Sequence, residues 1–233
     1  MTAAISRISV IVPAHDEEHL IGRCLSSIRR SADHLHSVTP ARVDIVVVLD
    51  RCLDETQLVA RSQLACVMAI DAGSVGAARH AGASNALTHN SIRPCQHWLA
   101  TTDADSVVPP DWLATHLELA AAGAEVVTGL VTPDHELPTL LRHRWAAAHP
   151  VRAGHDHVFG ANLGIRGDLY RAIGGFPPVR TGEDRALVDA ANAVGARIIA
   201  TDRGIVTTSS RRRARAPEGF AHWLHGPERR VPS

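Results

Sequence analysis

Residues 8–18 read I-S-V-I-V-P-A-H-D-E-E: a short β-branched apolar run, closed by Pro13 and followed at once by three acids. Such a run suits a strand buried on both faces of a parallel sheet. Asp16, Glu17 and Glu18 precede an amphipathic stretch with Leu20, Ile21, Cys24, Leu25 and Ile28 on one side. Acids in a first turn favour a helix start through the macrodipole, so a helix is expected there. Further along, residues 43–49 (V-D-I-V-V-V-L), 66–70 and 98–102 read as three more strands. Helix-like segments at 54–64 and 74–87 separate them. Strand and helix alternate, which predicts an α/β fold: a Rossmann-like, mainly parallel sheet flanked by helices. Ligands bind such sheets at the carboxyl ends of the strands. The polar groups expected there are His15 and Asp16 after the first strand, Asp50 after the second, and Asp103 and Asp105 after the fourth.

The second half is less regular. Helices are expected at 110–122, around 140–148, at 168–173 and from Gly182 to about Val194. Strands are expected at 125–131, at Gly160-Ala161-Asn162 and at 197–200. The expected organisation is one domain over 1–210, in two halves at 1–106 and 107–210. A basic tail at 211–233 follows.

Composition narrows the function class. The chain has 233 residues, 45% hydrophobic and 21% charged, enough for a real core and too apolar for global disorder. Lys+Arg and Asp+Glu both number 24, and this balance gives no reason to expect a nucleic-acid or membrane-surface partner. Cys24, Cys52, Cys66 and Cys95 form no C-x-x-C pair and read as free thiols of a reducing compartment. No apolar stretch approaches the roughly 20 residues of a membrane span. A soluble, cytoplasmic protein is the expectation.

Four motifs carry chemistry. Asp103-Ala104-Asp105 places two carboxylates on one turn, where they can hold a hard divalent cation together with water and phosphate oxygens. The same motif alone also describes a solvated acidic turn. Asp50, just past a strand, can accept from a nucleobase N–H or a ribose hydroxyl, while Asp54 reads as a helix cap. Gly73-Ser74-Val75-Gly76 allows close backbone approach, and Arg79 can pair with a phosphate. Glu183-Asp184 opens a helix, where a carboxylate can act as general base but is also what the helix dipole favours. His155 and His157 form an H-x-H that reads as ordinary loop histidines near the site, with metal ligation as the alternative. His222 and His225 are candidates for a late metal ligand. Arg211, Arg212, Arg213 and Arg215 are candidates for a phosphate clamp or simply a solvated tail. Most of Trp98, Trp112, Trp145 and Trp223 are expected in the core.

In this order the motifs resemble the family-2 glycosyltransferases, which have the GT-A fold. Residues 8–18 look like the family's V-I-I-P-A-Y-N-E-E, and V-G-A-A-R-H-A-G at 75–82 looks like its V-G-A-A-R-N-x-G. T-T-D-A-D-S at 101–106 looks like its D-x-D, residues 160–176 like its acceptor-side segment, and Gly182-Glu183-Asp184 like its E-D motif. The resemblance implies a nucleotide-diphosphate sugar donor bound by Pro13, His15, Glu17, Asp50, Arg79 and Asp103, with 1–106 as the nucleotide-sugar-binding half and 107–210 as the acceptor and catalytic half. It implies Mg²⁺ or Mn²⁺ on Asp103 and Asp105. Asp184 would be the base, Glu183 its neighbour in the acceptor pocket, and Asn162 a hydrogen-bond partner for donor or acceptor. The implied reaction is a single inverting displacement onto an acceptor hydroxyl. Leu49 stands where the family has the first acid of a pair, His80 replaces its Asn, and His15-Asp16 replaces its Tyr-Asn. A nucleotidyltransferase would instead carry a basic Gly-rich loop after the first strand, where this chain has acids. A non-catalytic nucleotide-sugar-binding protein would not need Asp103, Asp105 and Asp184 together.

Overall fold

The computed structural model describes residues 4–89, 92–179 and 181–211. Inside the sheet, third of its eight strands, lies β1 (Arg7–Ala14), buried at every position after Arg7. Ile8, Val10 and Val12 pack into one hydrophobic cluster and Ile11 into another. That is the period-two alternation of a strand covered on both sides. The strands β2 (Arg42–Asp50) and β4 (His97–Thr101) flank β1 in parallel, and β3 (Cys66–Ile70) extends the sheet beyond β2. Helices α1 (Ile21–His36), α2 (Thr56–Ser62) and α3 (Val75–Thr88) alternate with them.

The sheet continues without a break into the second half, in the order β3-β2-β1-β4-β7-β6-β8-β5. Here β6 is Val126–Pro133, β7 Leu163–Arg166, β8 Ile198–Thr208 and β5 Ser106–Val107. β7 lies antiparallel between β4 and β6, while β8 runs parallel to β6. The remaining helices are α4 (Trp112–Ala121), α5 (Thr139–Ala148), α6 (Gly167–Ala172) and α7 (Glu183–Ala193). The result is the expected α/β architecture, mixed but mostly parallel.

Four local expectations change. Pro13 does not end β1, because β4 stops pairing at Ile11 and the missing N–H faces the edge that β4 has left. The acids at 16–18 are not in the first turn of α1, which starts at Ile21. They form a loop laced to the β2–α2 loop: Leu53 N–H donates to Asp16, Glu18 N–H to Asp54, and Glu17 N–H to the Thr56 hydroxyl. Gly160–Asn162 is a 3-10 turn, and the strand begins only after it. Finally, β8 runs 11 residues where four were expected, through a register shift opposite Gly129 and Val131.

One stripe of α1 fastens the loop that follows β4. The Cys24 thiol donates to the Asp103 carbonyl at 3.3 Å. The Ser27 and Ser31 hydroxyls accept the N–H groups of Val108 and Leu113 at 3.1 and 3.0 Å. Positions 24, 27 and 31 share a helix face. Three small polar side chains therefore hold the chain from Asp103 to Leu113 on an otherwise apolar surface. Burial pushes the Cys24 thiol up, so it serves as a donor and not as a nucleophile.

Candidate active site

At the carboxyl ends of the strands, Arg79 meets Asp103 and Glu183, and Arg211 meets Glu17 and Asp105. Asp103 and Asp105 follow β4. Asp105 is buried, and its Oδ1 accepts from the Ser106 and Thr208 hydroxyls at 3.3 Å each. Burial pushes its carboxyl up, with Arg211 opposing that shift. Arg211 Nη2 lies 3.0 Å from Asp105 Oδ2, and its Nη1 donates to Glu17 at 2.6 and 2.8 Å. Thr208 is the last residue of β8, so the unexpected length of that strand carries Arg211 to the acids.

Arg79 sits one turn into α3 and is buried. Its Nη1 donates to Glu183 and its Nη2 to Asp103 Oδ1, the latter at 2.5 Å. Burial works against the charge on Arg79, but Asp103 and Glu183 prevail and raise its pKa. Burial pushes Glu183 up, and Arg79 restrains that shift. The glycines make this packing possible. A Cβ on Gly160 would lie 2.5 Å from the Arg79 guanidinium carbon, and one on Gly76 3.0 Å from Glu183. Asp184, next along α7, accepts the Gly160 N–H on Oδ2 at 2.8 Å. Gly182, with φ of +76°, sets the turn into that helix.

Asp50 ends β2, with its side chain turned onto the loop before α3. It accepts from Ala72, Gly73 and Ser74 N–H at 2.9, 2.9 and 2.7 Å. Burial disfavours its charge, but these donors win and hold the carboxyl below its usual range. His15 Nδ1 bonds the Asp50 carbonyl at 2.6 Å, tying the ends of β1 and β2 together. Asp54 accepts from Thr56 N–H at the start of α2.

Asn162 is a correction. It is 2% exposed, accepts from Trp112 Nε1 and donates to the Leu130 and Gly204 carbonyls. Its amide closes the core between β6, β8 and α4, so it is not turned to a ligand. Arg79 gives both terminal nitrogens to protein carboxylates and not to open space. Trp98, Trp112 and Trp145 are buried, as expected. His155 bonds the Thr201 carbonyl, and His157 stacks toward Phe159. His222, His225, Trp223, Arg212, Arg213 and Arg215 lie outside the described residues.

The oxygens of Asp103, Asp105 and Glu17 are hard donors, and a positive group, Arg211, already stands between two of these residues. A divalent cation fits that chemistry, with diphosphate and water completing its shell. Among the described residues, the ligand-type atoms that gather within 4.8 Å belong instead to Asp16, Cys52 and Asp54. Those atoms already bond the two laced loops. Sequence spacing did not reveal Arg211 as a site residue; only its place in a basic run marked it. No described helix is long and apolar enough to cross a membrane.

Comparison with known proteins bears on the fold and the family. TarS residues 1–349 from S. aureus, solved with UDP-GlcNAc, superpose with a TM-score of 0.66 at 16% identity, covering 94% of this chain and 64% of that one. The mannosyltransferase PcManGT from Pyrobaculum calidifontis, solved with GDP-Man and Mn²⁺, gives 0.63 at 20% identity, over 91% and 59%. Glucosyl-3-phosphoglycerate synthase from Mycobacterium tuberculosis, solved with phosphoglyceric acid, gives 0.53 at 18% identity, over 88% and 70%. The chain thus spans under two thirds of the TarS and PcManGT chains, and these likenesses establish the GT-A fold. No curated protein matches the sequence. The sequence profile of Glycosyl transferase family 2 matches residues 9–172, from inside β1 to the end of α6. The chain belongs to glycosyl transferase family 2.

Proposed function

We propose that the protein transfers a sugar from a nucleotide-diphosphate donor to an acceptor hydroxyl, with inversion, using Asp184 as base. The observation that carries this reading is the Arg79 bridge. One buried guanidinium joins Asp103, on the donor side, to Glu183, next to Asp184. The donor end and the base end of the reaction therefore share one rigid connection. A misplacement of about 1 Å between such groups costs on the order of 100-fold in rate.

Asp184 is aimed by the Gly160 N–H and takes the proton of the acceptor hydroxyl as that oxygen attacks the anomeric carbon. Glu183, fixed by Arg79, shapes the wall beside it. Asp50 stiffens the loop at 72–74 against which the nucleoside is placed, and Pro13, His15 and Glu17 line the neighbouring strand end. A divalent cation held by Asp103 and Asp105 would supply positive charge against the leaving diphosphate. TarS and PcManGT, solved with UDP-GlcNAc and with GDP-Man and Mn²⁺, support a nucleotide-sugar donor here. Mg²⁺ and Mn²⁺ both suit the oxygen ligands.

The test is a thermal-shift screen with UDP-, GDP- and dTDP-sugars, each with Mn²⁺ and with a chelator. A ligand that binds only the native state raises the melting temperature. A metal-dependent shift with one donor class is expected and identifies the base. A shift with nucleoside triphosphates alone would replace this reading with nucleotidyl transfer.

A further inference from the structure

We propose that Arg211 is the built-in counter-cation of the donor-free site, and that divalent cation and diphosphate enter together by exchanging for it. This rests on the reading of Asp103 and Asp105 as the cation seat.

The geometry is that of a bridge. One terminal nitrogen of Arg211 contacts both oxygens of Glu17, and the other contacts Asp105. The side chains of Glu17 and Asp105 are 6% and 10% exposed, and that of Arg211 is 28% exposed. A solvated basic tail would leave this arginine in water; instead it is folded down between two buried acids. The chain leading to it is pinned at two points. Ser210 Oγ donates to Asp134 at 2.5 Å, and Thr208, at the end of β8, donates to the other oxygen of Asp105.

Two buried carboxylates repel each other strongly at low dielectric and need a cation between them. The planar fork of arginine suits that place. A divalent cation entering alone must take Asp105 from Arg211 and strand the guanidinium, so it binds weakly. With a diphosphate present, the displaced guanidinium gains phosphate oxygens as new partners. Metal and nucleotide then raise each other's affinity by the same factor. Arg211 is thus a positioning residue whose role is coupling.

The experiment titrates Mn²⁺ into wild type, Arg211→Ala and Arg211→Lys, following loss of the free Mn²⁺ EPR signal. Each titration is run alone and with saturating UDP, GDP or dTDP. Wild type should bind Mn²⁺ weakly alone and much better with one nucleotide. Arg211→Ala should bind Mn²⁺ alone about tenfold more tightly, and the nucleotide should add correspondingly less. Arg211→Lys, which keeps the charge without the fork, should fall between and is the variant to read if the alanine protein melts early. Mn²⁺ affinity in the variants equal to or weaker than wild type overturns the exchange while leaving the metal seat intact. No Mn²⁺ binding by any protein with any nucleotide overturns the metal seat itself, and the exchange with it.

Discussion

Asp184 and Gly160 show how little space the proposed chemistry leaves. Asp184→Asn keeps the shape of the side chain and its contact with Gly160 but cannot take a proton. Turnover should fall by roughly 100- to 10,000-fold with nucleotide affinity unchanged, as measured by steady-state rates and calorimetric titration. Wild-type turnover in that variant would remove Asp184 from the base role. Gly160→Ala tests the Arg79 bridge from the other side. The new methyl would lie 2.5–2.6 Å from the guanidinium, so Arg79 must leave Glu183 or Asp103. Activity should drop together with melting temperature. An active Gly160→Ala protein would show that the bridge is dispensable.

Helix α1 acts as the clamp for the loop that follows β4. Ser31 accepts the N–H of Leu113 inside the core, and Ser31→Ala leaves that donor buried and unpaired. The cost should be about 1–3 kcal/mol in urea unfolding. A loss below a few tenths would mean that the loop finds another acceptor. α3 is placed by the other strand end. Asp50 accepts three consecutive N–H groups, so Asp50→Ala should loosen residues 72–74 and weaken nucleotide binding more than it lowers overall stability. Hydrogen exchange confined to that loop is the check. The first four strands and these helices were legible in the sequence because their apolar periods are regular. β8 was not. Its inward positions include Thr201, Gly204 and Thr208, and the register shift breaks its alternation.

Across the whole molecule, two buried histidines link stability to pH. Burial pushes His97 and His116 down to about 4 from 6.5. His97 shares a hydrogen bond with Ser9 at 2.8 Å, and His116 lies edge-on to Trp112. The folded pKa is depressed, so the unfolded chain takes up these protons first. Their contribution is fully present above about pH 6.5 and is lost as pH falls towards about 4, about 3 kcal/mol for each histidine. Urea midpoints should therefore fall steeply between pH 6.5 and 4, and His97→Gln should flatten that slope. A flat profile in the wild type would mean that both rings are protonated in the fold.

The sequence by itself determined the strands and helices of the first half, the parallel sheet, and the placing of Asp50, Asp103 and Asp105 at its carboxyl end. These follow from period-two and helical apolar patterns and from the way strand–helix alternation must close. Only the tertiary structure decided which charges meet. Arg79 and Glu183 are 104 residues apart, and Arg211 and Glu17 are 194 apart. Asn162 looked like a ligand group and became a core bridge because the 3-10 turn faces it toward Trp112. Ion pairing depends on distance and burial in three dimensions, and the spacing of residues along the chain carries neither.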